Sequence, residues 1–265
     1  MEKNGMEWIT LTSRQNAAVK RVVSLREKKR RDEAGVFPVE GIKFISDLSR
    51  DGIFPAELFL AENARIDRER AETLAGQNTR LYLVSSSVYE KLSLEQAGEG
   101  VLAVYEKTRL PRFEGSERRV LALEGVQDPG NVGASVRSAA AFGFDAVWLA
   151  GCADPLGPKA LRASMGAVYR IPLLSFSSGA LLLERAREKG LFTVAACLSE
   201  DAVLLDQVDL ARPVCLLIGN EGQGLSREVS AGADVRAVVP MRGMESLNAA
   251  AAAAVFMWEV KRGET

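Results

Sequence analysis

Short apolar runs alternate with amphipathic segments in the first part of the chain. Each run has the length of one strand, and the segments between them repeat apolar positions at helical spacing. The predicted strands are 36–39, 58–61, 81–84 and 101–105, and the predicted helices are 42–49, 66–75 and 86–92. Such alternation predicts a small α/β domain at 9–106. Pro38 has no backbone N–H to donate, which predicts that the first of these strands lies at a sheet edge.

The same alternation continues in the second part of the chain. The predicted strands are 120–125, 145–150, 170–174, 191–197, 213–218 and 235–239, and the predicted helices are 131–142, 157–168, 179–189, 226–231 and 245–261. The run VCLLI is apolar throughout, as in parallel sheets covered by helices on both faces. The charged, non-periodic segment KTRLPRFEGSERR predicts a linker at 107–119, so the second α/β domain is expected at 120–262.

Positive charge is concentrated near the N-terminus, although the formal net charge is only −1. Segment 9–31 predicts a short lead and one amphipathic helix with valines on its apolar face, and Glu27 is the single acid between Arg14 and Arg31. We expect the polar face to bind phosphates of a polyanion; the alternative is a solvated helix face. The candidate residues are Arg14, Lys20, Arg21, Lys28, Lys29, Arg30 and Arg31.

Composition narrows the chemistry that this chain can perform. The sequence contains no histidine, which excludes a Ser-His-Asp triad and most zinc catalysis. Its three cysteines are widely spaced in apolar runs, so we expect reduced core thiols in a cytoplasmic protein, with no metal site. The polar start lacks the pattern of a signal peptide, and the alanine run 249–254 is too short to span a membrane.

Three segments of the second domain each follow a predicted strand, where ligands bind in open α/β sheets. The first is LEGVQDPGNVGASVRSAAAFG, in which Asp128 or Asn131 can cap a helix. The second is IGNEGQGLS, whose glycine order G-x-x-G-x-G differs from dinucleotide-binding and Walker loops. The third, VPMRGMESLNAAAAAA, leads into the last helix, where Ser246 or Asn248 could serve simply as a cap.

Together these segments resemble the three motifs of the SpoU (TrmH-type) branch of the SPOUT RNA methyltransferases, over essentially all of 120–262. Motif three is one residue shorter between Pro240 and Ser246 than the family pattern. The stretches SRQNAAVKRVVSLREKKRR and VFPVEGIKF are similar to an L30e-like substrate-binding domain often fused to this catalytic domain.

The resemblance implies methyl transfer from S-adenosylmethionine to a ribose 2′-hydroxyl in structured RNA. It implies a parallel α/β sheet with a deep trefoil knot and a homodimer whose interface contains the last helix. The matching functional polar positions are Asn131, Arg137, Glu221, Ser246 and Asn248. The positions that match cofactor contacts are Leu217, Gly219, Val239, Met241 and Leu247.

A guanidinium is effectively always protonated and is a very poor base. We therefore expect Arg137 to hold a phosphate of the target bidentately, with Glu221 orienting Arg137 or the substrate. The appended N-terminal domain favours ribosomal RNA over transfer RNA as the substrate. A catalytically silent RNA-binding protein of the same fold is the alternative from another class. A Rossmann oxidoreductase is disfavoured by the glycine order.

Overall fold

The computed structural model describes residues 6–95, 98–243 and 246–263. Contacts within it divide the chain into two compact units. The first comprises residues up to Leu110 together with the short segment Leu156–Pro158, and the second comprises Pro111–Pro155 and the chain from Lys159 onward. No helix formed by the described residues has the length and apolar character needed to cross a bilayer.

The first unit is a mixed five-stranded sheet with helices, in the order β1-β4-β3-β5-β2. Its strands are Trp8–Leu11 (β1), Val36–Glu40 (β2), Glu57–Ala61 (β3), Arg80–Val84 (β4) and Val101–Glu106 (β5). Its helices are Ala17–Ser24 (α1), Lys28–Ala34 (α2), Ile42–Arg50 (α3), Arg68–Glu72 (α4) and Ser86–Leu92 (α5). Strand β2 lies at the edge and pairs antiparallel with β5, which confirms the prediction from Pro38.

The predicted single basic helix is wrong, because the chain breaks between α1 and α2. The Arg31 guanidinium donates hydrogen bonds of 2.7 Å to the carbonyl oxygens of Leu25 and Arg26, within this break. Arg31 is only 3% exposed, so its prediction as a phosphate ligand is corrected: its charge holds the turn between two helices. Strand β1, which the apolar pattern did not predict, precedes α1 and pairs with β4.

The second unit is a parallel seven-stranded sheet, in the order β10-β12-β9-β11-β6-β7-β8. Its strands are Arg119–Glu124 (β6), Ala146–Ala150 (β7), Leu173–Phe176 (β8), Phe192–Ala196 (β9), Val203–Leu204 (β10), Val214–Ile218 (β11) and Val235–Val238 (β12). Its helices are Pro129–Ala141 (α6), Pro158–Ser164 (α7), Gly179–Glu188 (α8), Arg227–Gly232 (α9) and Ala249–Arg262 (α10). The predicted α/β class and parallel sheet are confirmed.

Three details of the second unit differ from the expected elements. Helix α7 ends at Ser164, because Met165 and Gly166 both adopt positive φ. A 3₁₀ turn at Ala167–Tyr169 follows, and strand β8 starts at Leu173, later than expected. The short edge strand β10 was not predicted. The last helix begins at Ala249, whereas its predicted start at Glu245 lies outside the described residues.

Part of the predicted linker packs against the second unit. The Phe113 ring lies 6.2 Å from the Trp148 ring, and the Lys189 ammonium lies 5.1 Å from the centre of the Phe113 ring. Lys189 also pairs with Glu117 at 3.5 Å, and the Glu117 carboxylate accepts a hydrogen bond from the Gly115 amide. Phe113 and Glu117 of the predicted linker therefore anchor it to residues of the second unit.

Candidate active site

The three motif segments meet at the carboxyl edge of the parallel sheet. They follow β6, β11 and β12, of which β6 and β11 are neighbours and β9 separates β11 from β12. Parallel strands end at the same edge, so their following loops lie side by side. This placement brings together residues that are far apart in the chain.

The loop 219–226 after β11 closes on itself through its backbone. The amides of Asn220 and Gly224 each donate to the carbonyl of the other, at 3.0 and 2.9 Å. A Cβ on Gly219 would lie 2.2 Å from the carbonyl carbon of Gly224 and 2.2 Å from the nitrogen of Leu225. Only glycine at position 219 permits such a close approach of the two backbone segments. Gly224 is favoured for another reason, because its φ of +68° lies in the left-handed region. The loop is therefore compact without any ligand.

A polar cluster, formed by Asn131, Glu221 and Asn248, joins the three segments. The Asn131 Nδ2 donates to Glu221 Oε1 at 2.5 Å, and Asn131 Oδ1 accepts from Asn248 Nδ2 at 2.9 Å. The other end of the Asn248 amide caps α10, since its Oδ1 accepts from the amides of Ala250 and Ala251. One side chain on α6 thus fixes both the loop 219–226 and the start of the last helix.

Asp128 holds the first turn of α6 in place. Its Oδ1 accepts from the Asn131 amide at 3.1 Å, and its Oδ2 accepts from the Lys159 ammonium at 2.6 Å. The hydrogen bond from Lys159, together with hydrogen bonds from backbone amides, keeps the pKa of the Asp128 carboxyl below its ordinary value. Of the two possible caps considered from the sequence, Asp128 is the residue that caps α6.

A cavity of about 590 Å³ opens beside the loop 219–226. Its walls come from the loops after β9, β11 and β12 and from the start of α10. The lining is mixed, with aliphatic side chains beside the glycine-rich backbone. The lining residues that the sequence singled out are Gly219, Glu221, Val239, Met241, Ser246 and Leu247.

The SpoU rRNA methylase family model matches residues 118–258, the part of the chain that carries the cavity and the polar cluster. The chain belongs to this family. The MRM3-like substrate binding domain model matches residues 16–103, within the first unit.

Relatives and solved structures agree with this assignment. The chain is 34% identical to an uncharacterized tRNA/rRNA methyltransferase of Synechocystis, over 96% of this chain and 93% of that protein. It is 27% identical to the 23S rRNA (guanosine(2553)-2′-O)-methyltransferase RlmP of Bacillus subtilis, over 95% and 98% of the two chains. An AdoMet-bound rRNA methyltransferase from Sinorhizobium meliloti is 28% identical and superposes with a TM-score of 0.82, over 97% and 98% of the chains.

Within this SpoU fold, the side chain of one residue expected to contact the cofactor does not line the cavity. Leu217 is 1% exposed and packs in the core cluster of the second unit. The next residue of β11, Ile218, lines the cavity instead. Side chains alternate across a strand, so the Leu217 side chain packs in the core while that of Ile218 lines the cavity. A backbone contact of Leu217 with the cofactor stays a prediction.

The other predicted catalytic residue of the SpoU motifs, Arg137, lies on α6 and is exposed. Among the described residues, its side chain makes no hydrogen bond or ion pair, and the Glu221 carboxylate is hydrogen-bonded to Asn131. Of the two roles expected for Glu221, a contact with Arg137 is absent from the part of the chain that the structure describes, and orientation of the substrate stays a prediction. The guanidinium is left available to an external anion.

Sequence reasoning missed several residues of this site. Cys197, Leu198 and Ser199 follow β9 and line the cavity, because β9 lies between β11 and β12. Strand order is not visible in the sequence, so nothing marked this loop. Cys197 and Cys152 are only partly buried, and Cys215 is fully buried. Burial raises the pKa of the Cys152 and Cys215 thiols. All three thiols are free.

Proposed function

We propose that this protein transfers the methyl group of S-adenosylmethionine to a ribose 2′-hydroxyl of ribosomal RNA. The observation that carries the proposal is the polar cluster, which brings one residue from each motif to the rim of a preformed cavity. Membership of the SpoU family and the named activity of RlmP support the same reaction. Because several relatives are named tRNA/rRNA methyltransferases, transfer RNA is the alternative substrate.

The cavity fits S-adenosylmethionine in size and chemistry. Its volume lies in the range of small-molecule sites, which are mostly apolar with a few placed polar groups. Ile218, Val239 and Leu247 offer apolar surface, and the missing side chain at Gly219 lets the loop 219–226 fold tightly against the cavity that it lines. When bound, this cofactor supplies an electrophilic sulfonium methyl group. We assign Gly219, Val239, Met241 and Leu247 to its binding.

The residues of the polar cluster and Arg137 would position the RNA. Displacement at a methyl group needs the attacking oxygen in line, and such positioning contributes on the order of 7–11 kcal/mol. We propose that Arg137 binds the phosphate of the target nucleotide and that its positive charge stabilises the negative charge developing on the 2′-oxygen, whose proton passes to solvent as the methyl group is transferred. Asn131, Glu221, Ser246 and Asn248 would hold the ribose and the loops in register.

Purified protein incubated with methyl-labelled S-adenosylmethionine tests the proposed reaction. Ribosomal and transfer RNA from a strain lacking the gene would be offered separately, and alkali-resistant positions would be mapped. Label in a ribose of ribosomal RNA is the expected result. Label in transfer RNA would change the substrate, and no label in either pool would favour a silent RNA-binding protein.

The structure divides the candidate RNA-binding residues into two groups. Lys28, Lys29 and Arg30 on α2 pair with Asp32 or Glu33, and Arg21 pairs with Glu57. The Lys107 ammonium, and to a lesser extent that of Lys28, lower the pKa of Asp32 to about 2. Arg14 and Lys20 are exposed and have no ion-pair partner among the described residues. We propose that Arg14 and Lys20 make the principal phosphate contacts of the first unit.

The Lys20→Gln substitution should weaken RNA binding and reduce the slope of log K against log salt by about 0.7–0.9, as expected for one lost phosphate contact. The matched variant Lys28→Gln should change the slope less, since Asp32 already neutralises that ammonium. Filter binding across a salt series measures both. An equal slope change in the two variants would contradict the proposal that Lys20 binds phosphate and the ion-paired Lys28 does not.

We propose a homodimer with α10 in its interface. Val255 and Trp258 on one face of α10 are 38% and 54% exposed, and the Trp258 ring packs at 6.1 Å against that of Phe142 on α6. A contiguous apolar face of this kind is typical of an interaction surface. We further propose a cytoplasmic location, the domain limits 9–106 and 120–262, and a trefoil knot formed by the C-terminal segment. An experimental chain trace would test the knot.

The Trp258→Glu substitution should convert the dimer to a monomer, because it places a charge at the centre of an apolar interface. Light scattering coupled to size exclusion would report the mass. Leu181→Glu, at a residue 47% exposed on α8, is the control and should stay dimeric. Dissociation by both substitutions, or by neither, would exclude α10 as the specific contact.

A further inference from the structure

We infer that Glu124 is a positioning residue that keeps the loop 219–226 in its cofactor-binding shape. It lies at the carboxyl end of β6, and its two carboxylate oxygens accept from one residue. Glu124 Oε2 accepts from the Ser226 amide at 2.8 Å, and Oε1 accepts from the Ser226 hydroxyl at 2.9 Å. The inference rests on the proposed function, because the loop matters here as a wall of the cofactor cavity.

The same end of β6 also holds the beginning of this loop. The carbonyl of Gly125 accepts from Asn220 Nδ2 at 2.8 Å. Residues 124–125 therefore tie both ends of the loop 219–226 to the neighbouring strand, at Asn220 and at Ser226. The loop's own closure between Asn220 and Gly224 lies between these two ties.

Glu124 acts from behind the cavity, since neither it nor Ser226 belongs to the lining. Its carboxylate is half-buried against the start of α8, where a Cβ on Gly179 would lie 2.0 Å from Glu124 Oε1. Glycine at that position leaves room for the carboxylate. Ser226 in turn caps α9, because its hydroxyl accepts from the Val229 amide at 3.3 Å. The carboxylate thus fixes the point at which the loop ends and α9 begins.

The physical consequence is preorganisation of the cofactor site. A loop already held in its bound shape does not lose further conformational freedom when the ligand binds. Without Glu124, the loop would lose conformational freedom when the cofactor binds, and this entropy cost would weaken binding. The bound complex would keep the same contacts to substrate. Loss of Glu124 should therefore weaken cofactor affinity and leave kcat at saturating cofactor unchanged.

The Glu124→Gln variant tests this in the full-length protein, because the amide carries no charge and its single oxygen accepts from only one of the two Ser226 donors. Its NH₂ group could then only donate to the Ser226 hydroxyl oxygen, which already accepts from the Val229 amide. Calorimetry with S-adenosylmethionine should show roughly tenfold weaker binding, as for the loss of one hydrogen bond to a charged group. Glu184→Gln, at an exposed carboxylate on α8, is the matched control. Unchanged affinity, or a fall in kcat together with a lower Tm, would overturn the inference.

Two further measurements separate this inference from the proposed function. In the ligand-free protein, the amides of 219–226 should exchange with deuterium faster in Glu124→Gln than in the control, and equal exchange rates would refute the positioning role whatever the protein binds. The double variant Glu124→Gln/Ser226→Ala should lose less affinity than the sum of the two single variants, since both substitutions act on the hydrogen bond between the Ser226 hydroxyl and Glu124 Oε1. Wild-type protein that does not bind S-adenosylmethionine would refute the proposed function alone.

Discussion

Replacement of Arg137 by lysine should lower kcat for RNA methylation roughly 100-fold, the usual cost of removing one donor that stabilises developing charge. Lysine keeps the positive charge but loses the planar fork that binds two phosphate oxygens at once. The affinity for S-adenosylmethionine should stay unchanged, because Arg137 does not line the cavity. Initial rates at saturating RNA and calorimetry with the cofactor measure the two effects.

Arg185→Lys is the matched control for this substitution. Arg185 is half-buried on α8, and its guanidinium pairs with Glu188 within the same helix. Its replacement by lysine should leave kcat at the wild-type value. Near-full activity of Arg137→Lys would rule out the bidentate clamp, and an equal loss in both variants would indicate a general effect of arginine replacement.

The Gly219→Ala substitution should abolish measurable cofactor binding and lower the free energy of unfolding by about 1–3 kcal/mol, the usual range for overpacking. The added methyl group would meet backbone atoms of Gly224 and Leu225, which cannot rotate away as a flexible side chain could. The loop would have to open, and opening it removes one wall of the cavity. Thermal unfolding and calorimetry with S-adenosylmethionine provide the two measurements.

Gly222 in the same loop provides the control for stability. A Cβ there would find its nearest neighbour, Asn220 Oδ1, at 3.6 Å, which is ordinary van der Waals contact. Gly222→Ala should therefore unfold at the wild-type temperature. If both variants were equally destabilised, glycine would be required throughout the loop for backbone freedom, and the close approach at Gly219 would not be the cause.

Much of the fold could be predicted because strands and helices are local features of the apolar pattern. The runs at β6, β7 and β11 are continuous and apolar, and each forms a buried strand within a residue or two of its expected limits. The break after α1 could not be predicted in this way. It depends on Arg31 reaching back to the carbonyls of Leu25 and Arg26, which is a tertiary arrangement of a residue type that usually lies in solvent.

The candidate site was predictable as a set of segments, but not in its internal contacts. Glycine-rich and amide-bearing loops after strands mark a ligand edge, so the motifs were visible along the chain. The pairing of Glu221 with Asn131 depends on how two loops meet in space. The role of Glu124 could not be predicted from the sequence for the same reason, since its partner Ser226 lies in a distant motif.

The Asn131 side-chain amide can hold the site together in only one orientation. Its nitrogen end donates to a carboxylate and its oxygen end receives an amide N–H, so one small side chain must present opposite polarity at its two ends. An aspartate there would set like charges against Glu221, and a lysine would offer Asn248 no acceptor. Few other side chains at position 131 could make both hydrogen bonds. The orientation of this one carboxamide therefore determines whether the three motif segments are held together.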